Sequence, residues 1–326
     1  MRAFFGVAAK AVYGTSKQSD WLYEKIHRPG SLYILARNLL NYHLNRPEIF
    51  GVISMVLEPS FACNLSCKYC PRSIHKERLH SRPLFMDWAL FCKAVDQAPR
   101  SVETITLGAL GEPLLHPKVV DMIHYIADRG MRPILYSNCT LLEGTVCDEL
   151  AAAPLSVLNV SIEPDGPTSQ EYRGVELATI RRNVETFYAK KMSSTDVKLS
   201  VVVHPGNVDV LSHIAEEWNG IIKHVKYHSC VDPYFSLSGH ARGCLEAVRG
   251  NINILTSGEV TPCCIDIFAD ITIGNIQEER LDAIINGKQY KQLLARMLSG
   301  APPERSLHCS EFSSQGIPVK SVKKIA

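Results

Sequence analysis

The sequence predicts an α/β chain: a partial, TIM-like (βα)6 barrel with a helical N-terminal segment before it and an α+β extension after it. Three observations carry this. Between residues 51 and 235, short β-branched runs alternate with helical patterns, the signature of a parallel sheet. Residues 1–50 carry apolar residues at three- and four-residue spacing. Beyond residue 235 the alternation stops, and a hairpin pattern followed by a helical one replaces it. The expected units are 1–50, 51–235, 236–312 and a polar tail at 313–326.

Taken in order, "SDWLYEKIH" and "SLYILARNLLNYHL" read as helices, and Pro47 closes that region. "GVISMVLE" is the first strand and "MDWALFCKAVDQA" the first barrel helix. "ETITLGAL" is followed by "KVVDMIHYIADRG", which ends on a glycine stop. "RPILYSN" precedes "EGTVCDELAAA", and "SVLNVSIE" precedes "LATIRRNVETFYAKK". "DVKLSVVV" precedes "VDVLSHIAEEWNG", and "IIKHVKYHSC" is the sixth strand. Six units are two short of a closed barrel, so the sheet stays open, with ligands expected at the C-terminal ends of its strands. Farther on, "NINILTSGEVTPCCID" reads as a hairpin turning at Ser257 and Gly258, and "LDAIINGKQYKQLLARML" as one helix.

The formal net charge of +2 gives no electrostatic case for a nucleic-acid partner, and no apolar run is long enough for a membrane span. The start "MRAFFGVAAKAVYG" superficially resembles a secretion signal. Its apolar stretch is broken at Lys10, after about seven residues, the lower limit for such a region. A cytoplasmic location is therefore expected. The eleven cysteines of the chain are too dispersed for a disulfide scaffold and suggest metal or redox chemistry in a reducing compartment. Cys92 and Cys147 lie in helical patterns and read as core residues.

"CNLSCKYC" places Cys63, Cys67 and Cys70 at C-x3-C-x2-C, directly after the first strand. A zinc knuckle would want a fourth ligand nearby. An iron–sulfur cubane is held by thiolates, and three of them leave one of four irons open. This spacing at the barrel rim resembles the radical S-adenosylmethionine (SAM) superfamily. The resemblance implies a [4Fe–4S] cluster whose open iron chelates SAM, and a 5′-deoxyadenosyl radical that abstracts hydrogen. It also implies SAM contacts from Tyr69 beside the cysteines. In "LGALGEPLLHP", Gly111, Glu112 and Pro113 match the family's Gly-Glu-Pro motif. In "YSNC", Ser137 and Asn138 match a Ser/Thr-Asn-Gly motif, with Cys139 in place of the glycine. In "VSIEPDGPTSQEYRG", Ser161 and Arg173 are the matching pair. The resemblance extends over residues 51–312.

The C-terminal cysteines resemble a SPASM/Twitch extension, which holds auxiliary iron–sulfur clusters. Cys244, Cys263 and Cys309 are the implied ligands, with "SGEVTPCCID" and "IGNIQEERLDAIING" as the matching phrases. The full SPASM cysteine run is absent, so one auxiliary cluster is expected. Phe312 stands where a fourth ligand would fall. Cys264 or Cys230 could replace it, or one iron stays open to bind substrate, or the second site is degenerate.

The chain resembles 2-deoxy-scyllo-inosamine dehydrogenase and aminoglycoside epimerases. This implies a small polyhydroxylated substrate of antibiotic biosynthesis, oxidised or epimerised at a carbinol carbon, with a flavodoxin or ferredoxin as electron donor. For an epimerase, Cys230 and Cys264 are the candidate hydrogen-atom donors. Two alternatives stay open: a maturase of ribosomal peptides, and a non-catalytic binding subunit. Residues 1–50 are short for a peptide-binding domain, and the intact cysteine triplet argues against loss of catalysis.

Overall fold

The computed structural model describes residues 29–78, 82–218, 222, 224–229, 249–263, 266 and 268–299. The helix Pro29–His43 precedes the barrel. The six expected strands are β1 (Ser54–Leu57), β2 (Thr104–Leu107), β3 (Arg132–Ser137), β4 (Val157–Ile162), β5 (Asp196–Val203) and β6 (Val225–Ser229). They pair in parallel, in sequence order, from β1 to β6. The sheet is open, as six units require.

The hairpin of the extension is β7 (Asn251–Ile254) and β8 (Glu259–Thr261), followed by the short β9 (Gly274–Asn275). Gly258, with φ of 86°, makes the turn in the left-handed region, where glycine carries no Cβ penalty. The hairpin does not form a sheet of its own. β7 pairs in parallel with β1, so one nine-stranded sheet runs β6-β5-β4-β3-β2-β1-β7-β8-β9. Ser54 Oγ donates to Asn251 Oδ1 at 2.5 Å across that junction.

The barrel helices include Trp88–Asp96, Val119–Asp128, Gly144–Ala152 and Leu177–Lys190. Asp87 caps the first, its carboxylate accepting from the N–H groups of Ala89 and Leu90. Two helical expectations change. Among its described residues, "VDVLSHIAEEWNG" forms a 3-10 turn, Val208–Val210, and a short helix, His213–Glu217. The predicted single helix over 281–298 is two, Leu281–Asn286 and Lys288–Leu298. Gly287 stands between them with extended backbone (φ −71°, ψ 166°), which interrupts the helical hydrogen-bond ladder. Cys147 is buried in its helix and Cys92 packs partly buried against the core, as expected of core residues.

Alternation along the strands decides where the core sits. Ile105, Leu107, Leu135, Leu158, Val160, Ile162, Leu199 and Val201 are buried in the core cluster together with Ile123, Ile126, Leu150, Ile180, Val184 and Phe187 of the helices. The intervening residues point the other way, into the barrel. They are mostly polar: Thr104, Thr106, Asn159, Ser161, Lys198, Ser200 and Lys226. The hydrophobic layer therefore lies outside the sheet, and the inner face is mostly polar.

That layer accounts for most of the burial, at ~1.5–3 kcal/mol per large aliphatic side chain. Leu158, fully buried on β4, tests it. Leu158→Ala should lower unfolding stability by ~3 kcal/mol in urea titration. A change near zero would place the core elsewhere.

Candidate active site

The loop after β1 carries Cys63, Cys67 and Cys70, all partly buried and none in a disulfide. The Leu65 N–H donates to Cys63 Sγ at 3.5 Å. The N–H groups of Ser73 and Ile74 donate to the Cys70 carbonyl, at 2.8 and 3.0 Å. Burial raises all three thiols, Cys67 to about 11, and the thiols repel one another's negative charge. Three thiols in mutual electrostatic reach, with Arg72 and Arg173 as nearby positive charges, form a donor set suited to an iron–sulfur cluster.

A buried carboxylate anchors this loop. Glu163, fully buried just after β4, accepts at Oε1 from Tyr69 Oη (2.7 Å) and Arg173 Nε (3.1 Å). At Oε2 it accepts from Asn207 Nδ2 (2.7 Å) and meets His204 Nε2 (3.2 Å). Burial alone would raise its pKa. The His204 bond, the Arg173 charge, Tyr69 and Asn207 more than offset that and hold it below the ordinary carboxylate value. The Tyr69 hydroxyl is pushed well up, by burial first. Tyr69 also packs against the His204 ring, which lies 4.2 Å from that of Tyr172.

The loops after β2 and β3 share a second carboxylate. Glu112, 2% exposed, accepts from Leu114 N–H (3.0 Å), Ser137 Oγ (2.8 Å) and Asn138 N–H (2.8 Å). Burial raises its pKa. Asn138 Nδ2 in turn donates to Asn64 Oδ1 of the cysteine loop at 3.0 Å. Gly111 packs so tightly that a Cβ there would overlap the carbonyl oxygens of Ser60 and Ala62. Pro113 opens the 3-10 turn that Glu112 caps. Two non-glycine residues of these loops have positive φ, Ala109 at 114° and Cys139 at 56°. Such backbone costs about 1–3 kcal/mol per residue and persists only where the surroundings over-determine it. Cys139 thus adopts the conformation that the glycine of the resembled motif would favour, and its buried thiol is pushed up.

The structure brings Tyr69, Gly111, Glu112, Pro113, Ser137, Asn138, Ser161 and Arg173 to the cysteine-loop end of the sheet. Arg173 is turned inward: besides Glu163, it donates to the carbonyls of Ser161 (3.0 Å) and Ile162 (3.3 Å). Ser161 faces the barrel interior and is half-buried. Cys263 follows β8, its N–H donating to Thr261 Oγ1 at 3.3 Å. Cys230, Cys244, Cys264 and Cys309 lie outside the described residues.

Sequence reasoning missed Glu163, His204, Asn207, Asn64 and Glu58. Glu58, fully buried after β1, pairs with Arg82 and accepts from the Thr256 N–H at 3.1 Å, tying the cysteine loop to the hairpin. Burial raises its pKa, Arg82 notwithstanding. The available signal was positional: Glu58 and Glu163 each stand directly after an apolar strand, at the rim.

Residues 57–217 match the family described as "Radical SAM superfamily", and residues 244–310 match SPASM, described as "Iron-sulfur cluster-binding domain". The chain belongs to the radical SAM superfamily, with a SPASM extension, and its cofactors are a [4Fe–4S] cluster, SAM and auxiliary iron–sulfur chemistry. A curated relative from Pyrococcus furiosus, a "Tungsten-containing aldehyde ferredoxin oxidoreductase cofactor-modifying protein", is 31% identical over 140 residues, or 42% of this chain and 37% of that one. The chain spans less than half the length of the first curated relatives it matches. The fold is similar to Streptococcus suis SuiB bound to precursor peptide SuiA (TM-score 0.62, 13% identity, 90% of this chain, 77% of that one). It is also similar to BtrN in complex with AdoMet and 2-DOIA (TM-score 0.50, 16% identity, 76% of this chain, 88% of that one). No helix among the described residues is long and apolar enough to cross a membrane.

The Glu163 network yields a signed prediction. Its folded pKa lies below the unfolded value of about 4.5, so its stabilisation is complete above that pH and is lost as pH falls through the folded pKa. Glu163→Gln leaves Arg173 buried without its counter-charge and should cost ~3 kcal/mol at pH 7 in urea titration. The variant's stability should also fall less than the wild type's on acidification below about pH 4.5. Parallel pH curves would contradict the assignment.

Proposed function

We propose that this radical SAM enzyme abstracts hydrogen from a carbinol C–H of a small polyhydroxylated molecule, such as a sugar, aminocyclitol or aminoglycoside, giving epimerisation or dehydrogenation. The observation that supports this reading is the mostly polar inner face of the barrel, where Thr106, Asn159, Ser161, Lys198, Ser200 and Lys226 stand beside Ile134 and Val202. Such a lining suits a substrate dense in hydroxyl groups.

In this reading Cys63, Cys67 and Cys70 hold the catalytic cluster, and Cys244, Cys263 and Cys309 the auxiliary one. When bound, the cluster and SAM supply a carbon radical able to take a hydrogen atom. The chain's own residues position and shield that chemistry. Glu163 fixes Tyr69 and Arg173, so the cysteine loop keeps one shape. Glu112 joins the loops after β2 and β3 and presents Asn138 towards Asn64. Gly111 lets those loops pack directly on the cysteine-loop backbone. Cys230 and Cys264 are the proposed hydrogen donors of an epimerase. A flavodoxin or ferredoxin donor and a cytoplasmic location complete the proposal.

Replacing Cys63, Cys67 and Cys70 together by Ala should remove about four irons per chain and abolish 5′-deoxyadenosine formation, with the C-terminal cluster retained. Undiminished SAM cleavage would refute the ligand set. Deuterium transfer from ring-deuterated cyclitols and sugars into 5′-deoxyadenosine tests the substrate class. Transfer only from a deuterated peptide would replace it with the maturase reading. For an epimerase, the inverted carbon should carry one deuterium when turnover runs in deuterium oxide.

A further inference from the structure

Asn159 sits in the middle of β4 and is 1% exposed. Its neighbours Leu158 and Val160 point into the helix-facing core, so its own side chain faces the barrel interior. Neither Oδ1 nor Nδ2 has a hydrogen-bond partner. A primary amide buried with neither atom paired is costly, and an apolar side chain of similar size would remove that cost. Thr104 Oγ1 and Arg132 Nη1, cross-strand neighbours deeper on the same face, also lack partners.

The inner-face neighbours of Asn159 are given by the strand register. In register, Tyr136 on β3 and Lys198 on β5 flank it. Lys226 Nζ on β6 donates to Tyr136 Oη at 3.0 Å. Since the strand order is β6-β5-β4-β3, that bond bridges the inner face of β5 and β4. Lysine has a flexible four-carbon stem, so its head group can change position on this face.

We infer that Asn159 is a substrate-recognition residue that binds a pair of neighbouring hydroxyl groups, with the Lys226–Tyr136 bridge displaced as they enter. The inference rests on the polyhydroxylated-substrate reading and specifies how such a substrate is held. Oδ1 accepts from one hydroxyl and Nδ2 donates to the other. A hydroxyl both donates and accepts, so a vicinal diol satisfies both ends of the amide. A carboxylate only accepts and an ammonium only donates, so each satisfies one end. The position sets orientation: two residues along β4 towards the cysteine-loop rim is Ser161, and two beyond it Glu163. A diol gripped at Asn159 therefore leaves the rest of a small ring towards the rim.

The test uses the full chain with both clusters reconstituted and SAM bound. The probes are myo-inositol, glucose and 2-deoxystreptamine, with cyclohexanol as the mono-hydroxyl control. Calorimetric titration should show at least one polyol binding the wild type more tightly than cyclohexanol. Asn159→Leu should weaken that polyol at least tenfold, while the ligand-free melting temperature stays level or rises, because an unpaired amide has been removed. Asn159→Ser, a smaller change, is titrated alongside and should also lose at least tenfold. Unchanged polyol affinity in both variants would overturn the inference alone. So would a drop of several degrees in the ligand-free melting temperature of both variants, which would mean that the amide is satisfied in the resting fold. If no polyol binds the wild type, the polyhydroxylated-substrate reading itself fails and the inference falls with it.

Discussion

The rim of this barrel depends on one buried carboxylate. Glu163 accepts from a phenol, a guanidinium and a primary amide, and meets an imidazole, so four side chains from three chain segments converge on two oxygens. Burying a charge is expensive unless it is paired and every lone pair is used. Here both conditions hold, and the charge is fixed where the cysteine loop must dock. Tyr69 belongs to that loop, so the position of three thiols is set by a residue almost a hundred positions away in sequence.

Glu163 is one of three buried carboxylates at the rim. Glu58, Glu112 and Glu163 follow β1, β2 and β4 and are all buried. Glu58 ties the cysteine loop to the hairpin of the extension. Glu112 ties the loops after β2 and β3 together. Glu163 reaches the loop after β5. The backbone between them is tight, with Ala109 and Cys139 in left-handed or neighbouring positive-φ conformations and Gly111 pressed against two carbonyls. Strain of this kind is sustained because the carboxylate bonds over-determine the loops. The result is a rigid frame at one end of a barrel whose inner face is mostly polar.

The extension is continuous with that frame. β7 extends the barrel sheet from β1, and Ser54 with Asn251 bonds across the join. The two cofactor-bearing regions of the family are therefore connected by β-ladder hydrogen bonds, which resist hinge motion more than a flexible linker does.

The sequence by itself determined the alternation of six strands and helices, the turn at Gly258, and the cysteine spacing that identifies the cofactor. These are local properties: a period of two or 3.6, a glycine φ, a loop of fixed length. It also picked out Glu112, Ser137, Asn138 and Arg173, though as groups that approach SAM rather than as partners of the surrounding protein. Only the tertiary structure decided that Arg173 turns inward to Glu163, that Glu58 holds the hairpin, and that Gly287 splits the last helix into two. It alone placed β7 against β1, since a parallel pairing between strands almost two hundred residues apart leaves no mark on either. It also left the Asn159 amide without a partner, which is invisible in "VLNVSI", where an asparagine on a strand reads like any other polar residue on the inward face. The physical reason is common to all of these. Period and turn chemistry are written within a few residues, whereas the partner of a buried polar group is chosen by which strand ends meet.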